Sequence, residues 1–318
     1  MESPSARSRR RARPSRRRPL LHAVLAVIAV GGVTAGGTAC VKARARSGTA
    51  AVSSAPSLSA SSPAGAGEEA SVEPVTQPAV DRDALLSKAM TGVSVPSGAQ
   101  VSAAVLAVRS GDGAVYGDGA FDTASIVKVD ILATLLLQAQ DAGRRLTAAE
   151  EAYATRMIEN SDNASATALW HTIGRADGLD AANERFGLTA TSGGEGGLWG
   201  LTQTTAADQL ALLRQVFGED SKLSAASRTY VQGLMESVEA DQRWGVSAAA
   251  DGNSWALKNG WLPRSSTGLW DVNSIGRITV DGTDHLVAVL SKGTRTQATG
   301  IALVEAAAKA AVSVFAGK

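Results

Sequence analysis

From residue 125 to about 238 the chain reads as helix after helix, with no segment of strand character. Only a glycine-rich run at 192–200 interrupts it. Segments rich in β-branched residues lie on both sides of this block. Residues 81–90 have helical spacing, with Asp81 placed to cap them. Residues 101–108 read as a strand, Ser110-Gly111-Asp112-Gly113 as a turn, and Tyr116 falls in a second short strand. After the helical block come three more strand segments, 254–258, 269–280 and 285–291, and an Ala-rich helix at 298–315. A sheet built from both ends of a chain leaves its middle as an insertion. The expectation is therefore an α+β fold: a five-stranded antiparallel sheet flanked by N- and C-terminal helices, with an all-helical subdomain inserted at about 122–240. A cleft forms naturally where such an insertion meets its sheet.

The first eighty residues belong to no core. Residues 1–39 hold eight Arg, no Lys and one Glu, and residues 20–33 are apolar but short for a membrane span. This is the pattern of an export signal. Gly37-Thr38-Ala39-Cys40 resembles a lipoprotein cleavage box with Cys40 as lipid acceptor, although an aliphatic residue is usual where Gly37 stands. The run from Ser15 to Leu21 also resembles a twin-arginine signal. Lipidation, plain secretion and an uncleaved anchor are the three alternatives, and all of them put the folded part outside the cell. Residues 40–80, rich in Ala, Ser, Gly and Pro, read as a flexible linker to a domain at 81–318. The overall charge of +1 hides a head of +7 on a body near −6, which argues against a nucleic-acid partner. Cys40 is the only cysteine, so no disulfide can form within the chain. His22, His171 and His285 have no ligand-like spacing, and neither a metal nor another cofactor is expected.

Three short motifs carry chemistry. In Ser125-Ile126-Val127-Lys128 the serine and lysine are one helical turn apart and share a face. A serine hydroxyl attacks only when a base takes its proton, and a lysine is such a base when burial or a nearby cation keeps it neutral. Ser161-Asp162-Asn163 falls between two helical runs, where a capping turn is the plainer reading and a second hydroxyl beside a binding amide the functional one. Lys258-Asn259-Gly260 ends a strand, with a glycine that lets a substrate approach the backbone. Each alone says little.

In this order the three resemble the signature of class A serine β-lactamases and penicillin-binding proteins, S-x-x-K, S-D-N and K-T-G. The surrounding runs SIVKVDILATLLLQAQDAG, MIENSDNASATALW and VAVLSKG are also similar to that family. The resemblance implies that Ser125 is acylated, that Lys128 accepts its proton and that Ser161 passes a proton to the departing nitrogen. It implies that Asn163 contacts substrate and positions Lys128, that Lys258 binds a substrate carboxylate, and that the N–H groups of Ser125 and Trp261 form an oxyanion hole. Asp162 would tie its own turn together. Trp199 and Trp261 are placed near the cleft, and Arg277 and Arg295 are further carboxylate partners to consider. The ligand would be a β-lactam or a cell-wall peptide, met by a monomer whose membrane contact is limited to an N-terminal lipid.

The sequence departs from the family pattern in three places. Asn259 stands where the family has Thr, offering an amide to the substrate in place of a hydroxyl. Ser125 and Ser161 are closer in sequence than is usual, which predicts a more open site. The deacylating glutamate has one representative, Glu195, in a Gly-rich run without the usual flanking residues, and a solvated loop carboxylate is the alternative reading. Thr204-Thr205-Ala206-Ala207 reads as the helix start that follows this loop. The leading expectation is β-lactam hydrolysis through an acyl-enzyme at Ser125. A penicillin-binding peptidase or esterase and a non-catalytic exported binder are the competitors. A Ser–His–Asp hydrolase is disfavoured because no G-x-S-x-G occurs.

Overall fold

A computed structural model describes residues 80–315. The chain divides into two units, 1–73 and 74–318, and only the second contains described residues. The export signal, Cys40 and nearly all of the expected linker lie outside them.

The chain opens with α1 (Arg82–Met90), where the Asp81 carboxylate accepts from Ala84 N at 2.9 Å and caps the helix as expected. Then come β1 (Gln100–Ala107), β2 (Gly113–Tyr116) and the two-residue β3 (Phe121–Asp122). A 3₁₀ turn at Ala124–Ile126 leads into α2 (Val127–Asp141). The helical block continues with α3 (Ala148–Glu159), α4 (Asn163–Thr172) and α5 (Arg175–Phe186). After β4 (Gln203–Thr204) it closes with α6 (Ala206–Phe217) and α7 (Ala225–Glu236). The chain returns to the sheet through β5 (Trp255–Pro263), β6 (Trp270–Val280) and β7 (Thr283–Thr294), and ends in α8 (Gln297–Ser313).

The main sheet has the order β2-β1-β7-β6-β5, antiparallel throughout, and so draws on both ends of the chain. Side chains on a strand alternate between faces, and that alternation sorts the core into two layers. Ala104, Ala256, Ile275, Leu286, Ala288 and Leu290 pack with the helical block. Ala103, Val105, Leu257, Val272, Val287 and Val289 pack with α1 and α8. Helix α2 runs through the middle of the block, with twelve of its fifteen residues buried. A helix apolar on all sides belongs in a core.

The structure corrects two expectations. The insertion is not all helical: β3 and β4 pair through Phe121–Thr204 and Asp122–Gln203, stitching its rim to the segment before Ser125. Strand β5 runs to Pro263, five residues past the expected end. Gly260 and Pro263 read as breakers, but β5 is an edge strand, where a missing N–H or side chain costs little.

Candidate active site

Ser125 sits in the 3₁₀ turn that starts α2, and Lys128 in the first turn of the helix. Lys128 is fully buried. Its Nζ lies 2.9 Å from Ser125 Oγ, 3.0 Å from Ser161 Oγ, 2.6 Å from the Ser161 carbonyl oxygen and 2.8 Å from Asn163 Oδ1. The carbonyl and the amide oxygen can only accept, so they take both protons of a neutral amine. Its lone pair is then left to the two hydroxyls. Burial pulls the Lys128 pKa down to about 7, against the opposing negative charge of Asp162. A neutral amine aimed at a serine hydroxyl is a base in position.

The turn from α3 into α4 explains how Ser161 reaches this cluster. Ser161 adopts a left-handed backbone, with φ 55°. Asp162 caps α4 by accepting from Ser165 N at 2.7 Å, as the sequence suggested for it. Capping is thus done by Asp162, and Ser161 is released to the cleft. The second amine arrives from the sheet: Lys258 Nζ, fully buried, donates to Ser161 Oγ at 3.0 Å and to the Asn259 carbonyl at 2.9 Å. Burial, then the neighbouring Lys128, holds the Lys258 pKa well below its usual value. Two amines share one hydroxyl, and charging both would be costly.

Gly260 brings the edge of β5 against Ser125. A β-carbon there would fall 2.6 Å from Ser125 N, 2.9 Å from Ile126 N and 3.0 Å from Thr123 O. Any other residue would push the strand away. On the opposite pairing position, Asn273 Nδ2 donates to the carbonyls of Asp122 and Thr123 at 2.8 and 3.0 Å, holding the segment that precedes Ser125. Asn273 was not singled out from the sequence, and nothing in its local spacing marks it.

A cavity of about 630 Å³ opens beside Ser125, walled by Asn163 and Thr167 of α4, by 197–201 of the glycine-rich loop and by 261–266 of β5 and its turn. Its volume is in the range of small-molecule sites. Trp199 and Trp261 both line it, as expected. The Trp261 ring packs toward Trp244, with centroids 5.9 Å apart.

Several expectations about the cleft are overturned. Asn259 does not face it. Strand alternation turns its side chain away from Lys258 and Gly260, and its Nδ2 donates to the carbonyls of Gln242 and Trp244 at 2.7 and 2.9 Å. With both amide protons spent, Asn259 has none for a substrate carboxylate. Glu195 is exposed and is not part of the cavity wall, and no hydrogen bond or ion pair reaches its carboxylate among the described residues. Arg277 pairs with Glu236 at 2.8 Å in a separate groove, and Arg295 lies exposed between β7 and α8. Lys258 is likewise buried beneath Ser161 and not presented at the cavity surface. The charged residue that does line the cavity is Arg264, in an ion pair with Asp122. Its position just beyond Lys-Asn-Gly was the available signal. Thr205 caps α6 through Asp208 N at 3.1 Å, so the expected helix start after the loop is where the sequence put it. Among the described residues no acidic, histidine or cysteine cluster could hold a metal ion, and no helix is long and apolar enough to cross a membrane.

This fold, with a serine, two amines and a second hydroxyl joined in one hydrogen-bonded cluster beside the cavity, defines a serine hydrolase of the β-lactamase and penicillin-binding type. A family model described as "Beta-lactamase enzyme family" matches residues 142–315, and the chain belongs to that family. The matched span begins after Ser125 and Lys128, so their place in the site rests on geometry. No curated protein matches the chain. Similar solved structures include PBP-A, at 19% identity over 73% of this chain and 96% of that one, with a TM-score of 0.63. The TLA-1 extended-spectrum β-lactamase is 15% identical over 74% and 98%, with a TM-score of 0.64. A β-lactamase from Xanthomonas campestris pv. campestris is 20% identical over 74% and 97%, with a TM-score of 0.58. At these identities the likeness is one of fold, that of the class A enzymes.

Proposed function

We propose that the protein is a β-lactam-directed serine hydrolase that forms an acyl-enzyme at Ser125. The observation that carries this reading is the Lys128 amine, bonded to Ser125 and Ser161 and held near neutrality by burial. In the reaction Ser125 Oγ adds to the lactam carbonyl carbon, the C–N bond breaks and an ester forms. The hydroxyl proton goes to Lys128 and then, through Ser161, to the departing nitrogen. The N–H groups of Ser125 and Trp261 would face the developing oxyanion, and the contact at Gly260 keeps the two backbone segments together. Lys258 supports the relay by donating to Ser161. The export signal expected over residues 1–39 would bring the protein to such compounds outside the cell.

A second reading is favoured by the place of Glu195: acylation without efficient release, the behaviour of a penicillin-binding protein acting on cell-wall peptides. One solved neighbour is a point mutant of PBP-A, described as an acyl-enzyme complex with penicillin G. Purified protein incubated with fluorescent penicillin and with nitrocefin separates the two readings. A mass adduct on Ser125 supports acylation, steady nitrocefin turnover supports hydrolysis, and an adduct without turnover supports the penicillin binder. No adduct and no turnover, in protein shown to be folded, would rule out both.

A further inference from the structure

The glycine-rich loop lays an indole, and no carboxylate, over the catalytic amine. The Trp199 ring centroid is 5.0 Å from Lys128 Nζ. Trp199 Nε1 lies 3.2 Å from Thr167 Oγ1, to which it donates, and this ties the ring to α4. The loop itself is held at several points. Gly194 N donates to Thr202 Oγ1 at 3.0 Å, Trp170 Nε1 to the Gly196 carbonyl at 2.9 Å, and Thr123 N to the Thr202 carbonyl at 2.9 Å. The ring shares its cavity with Ser125 and Asn163. The neighbours of the amine are therefore Ser125, Ser161, Asn163 and this aromatic face, and no carboxylate is bonded to it.

Resting on the acyl-enzyme reading above, we propose that Trp199 is a positioning residue for Lys128 that keeps the amine dry and makes the Ser125 ester long-lived. The two halves of the reaction differ in what they need. Acylation moves its proton from Ser125 Oγ to Lys128, then to Ser161 Oγ and the leaving nitrogen, entirely inside the covered cluster. Hydrolysis brings in a water molecule. Its oxygen adds to the ester carbon, the bond from that carbon to Ser125 Oγ breaks, and a proton returns to Ser125 Oγ. The water must give up a proton, the base at hand is Lys128, and the indole covers its remaining side. One ring thus leaves the first half intact and obstructs the second. It also fixes the balance of charge on the amine. An aromatic face favours the ammonium form, whereas exclusion of water favours the neutral one. At Lys128 burial outweighs the opposing charge of Asp162, so a ring that adds to the burial favours the neutral amine.

The test follows the fluorescent-penicillin adduct of the full chain over time and over pH in W199A, W199F and T167V. W199A is expected to shorten the adduct lifetime by about tenfold or more, part of the ~10²–10⁴-fold that a fully placed general base contributes. It is also expected to move the rise of labelling rate to higher pH, because a rehydrated amine holds its proton more tightly. W199F, which keeps an aromatic face, should restore both values toward those of the parent. T167V frees the indole without removing it and should shift both in the same direction by less. If W199A and T167V both label with the parent's adduct lifetime and pH midpoint, the inference is wrong. If the parent protein forms no adduct at all, the acyl-enzyme reading fails and this inference falls with it.

Discussion

Helix α2 buries two ionisable side chains two residues apart, Lys128 and Asp130, and they meet opposite circumstances. Lys128 points at the cleft and has an acceptor or hydroxyl on nearly every side. Asp130 points into the helical block. Neither of its oxygens has a hydrogen bond of ordinary geometry, and the same is true of Thr134 one turn on and of the side-chain amide of Asn183 beside it. Burial first, with the charges of Asp180 and Asp208 adding to it, raises the Asp130 pKa to about 8. Burial also brings Lys128 down to about 7. The same force neutralises both groups. Only the lysine has a partner whose proton it can take, so a shifted pKa alone does not make a catalytic group.

The largest expected effect breaks the comparison at the lysine. Lys128→Met and Ser125→Ala should each lower the rate of penicillin labelling by ~10³-fold or more, as expected for a lost general base or nucleophile. Asp130→Asn should leave that rate within about twofold, because Asp130 touches neither hydroxyl. Equal losses in Lys128→Met and Asp130→Asn would mean that both act through the fold. Next, Lys258→Met should slow labelling by ~10- to 100-fold through the orphaned Ser161 relay, measured under pre-steady-state conditions.

The pH dependence sharpens the contrast. Lys128 takes a proton only when neutral, so labelling should rise with pH about a midpoint near 7 and be lost below it. Asp130 works in the other direction and on stability. Its folded pKa lies above the unfolded one, so folding binds a proton there. The stability that depends on this proton is complete below about pH 4 and is lost as pH rises toward 8. Asp130→Asn removes the dependence. It should stabilise the fold increasingly over that window, by on the order of 1–3 kcal/mol at its upper end, read as a rise in melting temperature. Parallel melting curves for parent and variant from pH 5 to 8.5 would contradict the buried, protonated state. The smallest effect belongs to Glu195→Gln, which should change neither labelling nor adduct decay by more than about twofold. A tenfold slower decay would restore Glu195 as the hydrolytic base.

How much of the site is legible in advance depends on whether a residue's role is local. Ser125 and Lys128 are legible because one helical turn sets their spacing, and Asp162 because capping is a local act. The length of β5 is underestimated from sequence, because Gly260 and Pro263 look like strand ends when the edge position of the strand is unknown. The motif misplaces Asn259 for a related reason: the strand's facing decides what its amide meets. The distance of Glu195 along the chain from Ser161 does not reveal whether a loop residue faces the cavity or the solvent.

The amino-acid order alone established an α+β chain with a helical insertion, a basic apolar head and three motifs in the order found in the serine β-lactamases. These are properties of short windows, where periodicity and nearest neighbours suffice. Only the tertiary structure decided that Ser161 joins two amines from distant segments, that Asn259 turns away and that an indole covers Lys128. Such contacts join residues tens of positions apart, and their distances follow from how layers pack. No local pattern encodes them.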